Sequence, residues 1–283
     1  MEWSWREQAI RLGASVSGSG PIVLLLPALS SISTRGEMRP LQERLAPRYS
    51  TFCIDWPGFG DQARPPVDWT PDIYFAFLSF LLTSAVAQPR AIIAAGHAAG
   101  YALEHAVSAP QTTPRLVLIA PTWRGPLPTM MSGHRPFFDR LCRLVDRPGI
   151  GPLIYWLNVN PVVVRHMAAG HVFVDPAFLT GERLREKLAV VRAPGARFAS
   201  VRFVTGRLDM FASREEFLAC ARNAPVPILV VYGAETPPKS RAEIEALAAL
   251  PGIRSVRLPH GKLSVHEEFP DAALEAIGPF LQD

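Results

Sequence analysis

Cysteine, long apolar runs and clustered charge are scarce in this chain, and each scarcity removes a class of protein. Cys53, Cys142 and Cys220 are the only three cysteines in 283 residues. They are too few and too far apart for a disulfide framework or a zinc site, and a reducing compartment is expected. No stretch of 18 apolar residues would cross a membrane, and the first residues, MEWSWREQAIRLGA, contain no leader-like apolar core, so a cytoplasmic protein without an integral membrane segment is expected. The apolar segment Tyr74 to Leu82 leaves room for loose membrane association, but a buried helix explains it better. The net charge is +4 and the pI near 9.2, yet the Lys and Arg residues are scattered, which argues against a nucleic-acid partner. His134, His166 and His171 have no carboxylate or cysteine at metal spacing, so neither a metal nor a cofactor is expected.

What remains is a globular composition, 48% apolar and 19% charged. The length suits one large α/β domain with an insertion, or two ordinary domains. Short apolar runs at Pro21–Leu26, Arg48–Asp55, Ala91–Ala95, Arg115–Ala120, Pro227–Tyr232 and Ile253–Leu258 have the length and flanks of strands buried on both faces. Helix-like segments lie between most of them, at Glu37–Ala46, Pro71–Ala87, Gly100–Ser108 and Ser240–Leu250. Strands alternating with helices predict a mostly parallel central sheet flanked by helices. The alternation stops over residues 125–224, where amphipathic stretches near 135–145, 150–158, 161–169 and 181–192 predict a helical cap; residues 1–124 and 225–283 would form the core. Ligands bind at the carboxyl ends of such strands, so this insertion would roof a pocket.

The most informative stretch is Gly96-His97-Ala98-Ala99-Gly100. It has the outline of G-x-S-x-G, a strand-to-helix turn that holds a nucleophilic serine above a sheet edge, with alanine in the serine's place. Asp55-Trp56-Pro57-Gly58-Phe59-Gly60-Asp61 and Glu268-Phe269-Pro270 supply two further motifs in matching order. Together they resemble the α/β-hydrolase superfamily, of the single-cap kind that includes many esterases, dehalogenases and C–C hydrolases.

That resemblance implies an oxygen nucleophile, a histidine base, an acid and backbone oxyanion donors. Ala98 stands at the nucleophile position. The acid position holds Thr236, with Glu235 the nearest carboxylate. A gap-free frame from Leu258-Pro259 to Pro270 puts Leu263 at the catalytic histidine, while a local shift would bring His266 or His260 into the site. The usual H-G of the oxyanion strand is replaced by Pro27-Ala28, followed by Leu29, Ser30 and Ser31. The N–H groups of Ala99 and of Ala28 or Leu29 would still form a polar nest. His97 is expected to position the turn, and Asp209 to serve in turn or capping chemistry. An aromatic and methionine population that includes Met130, Tyr155, Trp156 and Met167 predicts an apolar pocket under the cap.

Three functional expectations follow. The first is an inactive relative with a degenerate triad, monomeric or homodimeric, that binds a small apolar or ester-like molecule. The second is a carboxylic-ester or C–C bond hydrolase whose serine has been changed to Ala98, with His266 or His260 as base and Glu235 orienting it. The third is cofactor-free chemistry driven by a histidine. An engineered substitution would alter one position, whereas here acid, base and oxyanion dipeptide also depart from the pattern, which favours natural divergence.

Overall fold

A computed structural model describes all 283 residues. The chain opens with a hairpin, β1 (Glu2–Trp5) and β2 (Gln8–Arg11), which forms its own two-stranded sheet. Seven strands make the central sheet: β3 (Ala14–Ser17), β4 (Ile22–Leu26), β5 (Ser50–Ile54), β6 (Ala91–Ala95), β7 (Leu116–Ile119), β8 (Ile228–Gly233) and β9 (Ile253–Leu258). Their order is β3-β5-β4-β6-β7-β8-β9, and only the edge strand β3 runs antiparallel to its neighbour. All six expected strands are present. The hairpin and β3 are too polar and short for the apolar-run signal to detect.

Helices cover both faces of the sheet. On the amino-terminal side of the chain, α1 (Arg39–Leu45), α2 (Pro71–Phe80) and α3 (Ala98–Ser108) follow β4, β5 and β6 in turn. The apolar segment Tyr74 to Leu82 is a buried helix, as expected, with Tyr74, Phe77, Leu78, Leu81 and Leu82 enclosed in the core. Between β7 and β8 lie seven helices: α4 (Pro126–Met130), α5 (Phe137–Asp146), α6 (Ile150–Val159), α7 (Pro161–His171), α8 (Gly181–Arg192), α9 (Ala196–Val204) and α10 (Arg214–Asn223). The chain closes with α11 (Pro238–Ala248), α12 (Val265–Glu268) and α13 (Pro270–Gln282).

The core is one cluster of 59 buried apolar residues built on β4, β6, β7 and β8, whose side chains, Ile22 excepted, are enclosed on both faces. At about 25 cal/mol per Å² of buried apolar surface, the continuous Val-Leu-Ile-Ala strands supply the main driving force. All three cysteines are free thiols inside the protein. No helix is long and apolar enough to cross a membrane.

Candidate functional site

The carboxyl ends of β4 and β6 meet at the turn that leads into α3. There Gly96 has φ +52°, whereas His97 is already right-handed at φ −71°, ψ −19°, and Ala98 is the first residue of α3. A strand-to-helix elbow needs one residue with positive φ, and glycine adopts it at little cost because it has no Cβ. The sharp turn therefore falls at Gly96, two residues before Ala98. Ala98 and Ala99 are completely buried. Two small-residue frames span this turn, Ala94-x-Gly96-x-Ala98 and Gly96-x-Ala98-x-Gly100, and the positive φ falls at Gly96.

The consequences run through the expected oxyanion nest. The Ala99 N–H turns back to the Gly96 carbonyl at 3.3 Å and is part of the first helical turn. A Cβ built on Gly96 would lie 3.1 Å from the Ala28 Cβ, so the turn does face the loop after β4. Yet the Ala28 N–H donates to Glu37 Oε1 at 2.8 Å and is taken. Leu29 is a core residue, and the Ser30 hydroxyl accepts from the Ile32 N–H at 3.4 Å, a local turn contact.

Glu37 is the centre of a buried charged cluster that sequence reasoning missed. His266 Nε2 lies 3.6 Å from Glu37 Oε1, and Lys187 Nζ lies 3.9 Å from Oε2 and 2.9 Å from Glu267 Oε2. Four residues from the loop after β4, from α8 and from α12 thus converge, all almost fully enclosed. Burial alone would raise the Glu37 carboxyl, but His266, Lys187 and the Ala28 N–H together hold it below the usual carboxylate range. Burial likewise works against the Lys187 ammonium, and Glu267 and Glu37 more than offset it, so its pKa is raised. His266, one of the two histidines expected to face Glu235, lies against Glu37.

Of the two histidines expected beside Glu235, His260 is the one that meets it. Its Oε1 lies 3.2 Å from His260 Nδ1, and its Oε2 accepts the Gly261 N–H at 2.6 Å. His260 is 67% exposed and Glu235 37%, so this pair is a solvated clip between the loops after β8 and β9. Thr236, at the acid position, donates its hydroxyl to the Gly233 carbonyl at 2.8 Å. The Leu263 N–H reaches the His171 carbonyl at 3.4 Å, tying this loop to the end of α7.

A second buried pair adjoins the turn on the side of the inserted helices. His97 Nε2 is 3.0 Å from the Leu208 carbonyl, which also accepts from the Tyr101 hydroxyl at 2.6 Å. A carbonyl only accepts, so His97 carries its proton on Nε2 and leaves Nδ1 as a buried lone pair without a partner. Asp209 Oδ1, 3.4 Å from the same Nε2, accepts the Gly125 N–H at 2.8 Å, while Oδ2 has no hydrogen-bond partner and only the half-exposed His134 ring at 3.7 Å. Burial pushes His97 down to about 4 and Asp209 up to about 8. Both are neutral near pH 7. Asp209 thus does hold a turn, through Gly125, but as a buried acid beside His97.

The apolar residues expected under the cap differ in exposure. Trp156 is 55% exposed and Met130 54%. Trp156 and Tyr155 line a cleft of about 270 Å³ with Arg192, Pro194 and Arg197, all within the inserted helices. No group of three or more His, Cys, Asp or Glu side chains is placed to hold a metal ion.

This topology, with a turn after β6 and an insertion after β7, agrees with a family model. Residues 23–276 match the model described as alpha/beta hydrolase family. The chain belongs to the alpha/beta hydrolase family. Solved α/β hydrolases share its fold at low identity. A hydrolase from Pseudomonas aeruginosa aligns at 21% identity and TM-score 0.73, covering 96% of this chain and 94% of that one. A thermophilic esterase from Thermogutta terrifontis aligns at 18% and 0.72, covering 97% and 94%. An enol-lactonase from Burkholderia xenovorans aligns at 16% and 0.69, covering 96% of each chain. No curated protein sequence matches this α/β hydrolase.

Proposed function

We propose that this α/β hydrolase has a degenerate catalytic site and binds a small apolar or ester-like molecule without cleaving it by the covalent serine mechanism, in a cytoplasmic setting. In this reading Gly96, not Ala98, occupies the nucleophile's place, so the position has lost its whole side chain. Residues 125–224 act as the cap over it. The observation that carries the reading is the Glu37 carboxylate on the Ala28 N–H. An oxyanion hole stabilises negative charge that appears only in the transition state. Here a permanent internal carboxylate already takes one donor, and a second anion sharing that donor would be repelled.

The surroundings of the turn support an apolar ligand. Only Ala28 approaches a Cβ on Gly96 within 4 Å, and Phe203 packs edge-on against both His97 and Phe59 close by. A second reading is favoured by one observation, the unpartnered His97 Nδ1 beside a neutral Asp209. It would assign proton transfer without a nucleophile or cofactor to that pair.

The test uses p-nitrophenyl butyrate with wild type, Gly96→Ser and Ala98→Ser. Saturable quenching of tryptophan fluorescence with no release of p-nitrophenol above the buffer rate is expected from all three. A stoichiometric burst from Gly96→Ser would show that acid, base and oxyanion donors are intact and only the nucleophile is missing. Absence of saturable binding would sink the ligand assignment.

A further inference from the structure

The inserted helices leave one face bare. On α6, Gly151 packs so closely on the Val145 carbonyl that a Cβ would overlap it, and Ile154 and Tyr155 join the small cluster of Cys142, Val145 and Val201. That sets the inner side of the helix. Ile150, Leu153, Trp156 and Leu157 then share the outer side at helical spacing, and they are 48%, 55%, 55% and 53% exposed. Val162, in the first turn of α7, the next helix in the chain, is 70% exposed. Soluble surfaces expose apolar residues singly, and a contiguous strip of this kind marks a docking site.

The charge around the strip identifies the occupant. Residues 125–224 carry fourteen Lys and Arg against eight Asp and Glu, while the rest of the chain carries fifteen against seventeen. No carboxylate side chain occurs between Asp146 and Asp175. Asp139 and Asp146, on the neighbouring α5, are already paired with Arg207 and Arg202. Arg147 and Arg165, by contrast, are exposed with no carboxylate partner, and Arg192 and Arg197 line the cleft beside Trp156. An apolar strip with a half-exposed tryptophan and nearby arginines that lack carboxylate partners matches an anionic lipid surface, where acyl chains accept the strip and phosphates accept the guanidinium groups. A second copy fits poorly, because facing strips would bring two sets of unpaired arginines together.

We infer that this protein docks reversibly on anionic phospholipid bilayers through the outer face of α6 and the start of α7, with Arg147, Arg165, Arg192 and Arg197 meeting the headgroup phosphates. The inference is independent of the reading of the turn at Gly96. Docking would bring the cap to the membrane, a natural place to collect or deliver an apolar molecule.

Full-length protein co-sedimented with phosphatidylcholine vesicles, with and without phosphatidylglycerol, tests it. Binding to the anionic vesicles should exceed that to the neutral ones by about tenfold or more and weaken in high salt. Leu153→Ser with Trp156→Ser should abolish it, as should Arg147→Glu with Arg165→Glu. All four sites are exposed, so melting temperature and circular dichroism should not change. Equal and weak sedimentation with both vesicles overturns the inference. So does full binding by the serine double variant, or a vesicle-free dimer in sedimentation equilibrium that this variant dissociates.

Discussion

Replacing Asp209 by asparagine tests whether the acid beside the turn is neutral. The wild-type carboxyl is raised from its ordinary 3.8 to about 8, chiefly by burial. Burial wins because the charged form has little to hold it: one N–H from Gly125, Arg124 at a distance, a neutral His97, and His134 at 3.7 Å. A carboxyl raised in the folded state keeps its proton while the unfolded chain has lost it. Its contribution to stability is therefore complete below pH 4 and falls as pH rises towards 8. His97 and His105 oppose this between pH 4 and 6.5, since burial lowers both to about 4 and stability from them rises with pH. Above pH 6.5 Asp209 acts almost alone. At 1.36 kcal/mol per unit, and allowing for half-titration at 8, the wild type should lose about 1.5 kcal/mol relative to Asp209→Asn between pH 6.5 and 8. The amide can keep the Gly125 bond and has no charge to desolvate. Urea unfolding of both proteins at matched pH values, with m-values held constant, measures the difference. Parallel curves across this window would mean that Asp209 is ionised when folded, and the neutral pair at the turn would be refuted.

Glu37→Gln should destabilise the protein by about 2–4 kcal/mol, read from the urea midpoint, because Lys187 and His266 lose a buried partner. A change within 0.5 kcal/mol would show that the cluster is hydrated and weak. Removing either member of the exposed clip, by Glu235→Ala or His260→Ala, should cost under about 1 kcal/mol and leave p-nitrophenyl butyrate binding unchanged. A large loss of binding would return this pair to the site. Gly96→Ser should lower stability by about 1 kcal/mol, from the positive φ and the 3.1 Å approach to Ala28, in the same urea series.

The sequence carried the sheet and much of the helical insertion but not the register of the turn, for a physical reason. Periodicity and apolar runs report burial, and burial is what β4, β6, β7 and β8 share. The elbow, by contrast, is encoded by small residues, and from Ala94 to Gly100 every residue but His97 is small. Two frames two residues apart satisfy that pattern equally, and only the backbone reports that the positive φ falls at Gly96. One local signal marked the observed turn, since Gly96, the first glycine after the strand, adopts positive φ at little cost. The buried cluster offers no such signal. Glu37 and His266 are 229 positions apart, and Glu37 sits in a short 3₁₀ turn whose composition reads as solvent-exposed. Its burial becomes legible only once β4 and α12 are seen to converge, when the Ala28 N–H, His266 and Lys187 are found filling the corner around it. A lost nucleophile could be restored by one substitution. On the proposed reading a corner built around an internal carboxylate takes several substitutions to undo, which is why Gly96→Ser alone is expected to release no p-nitrophenol.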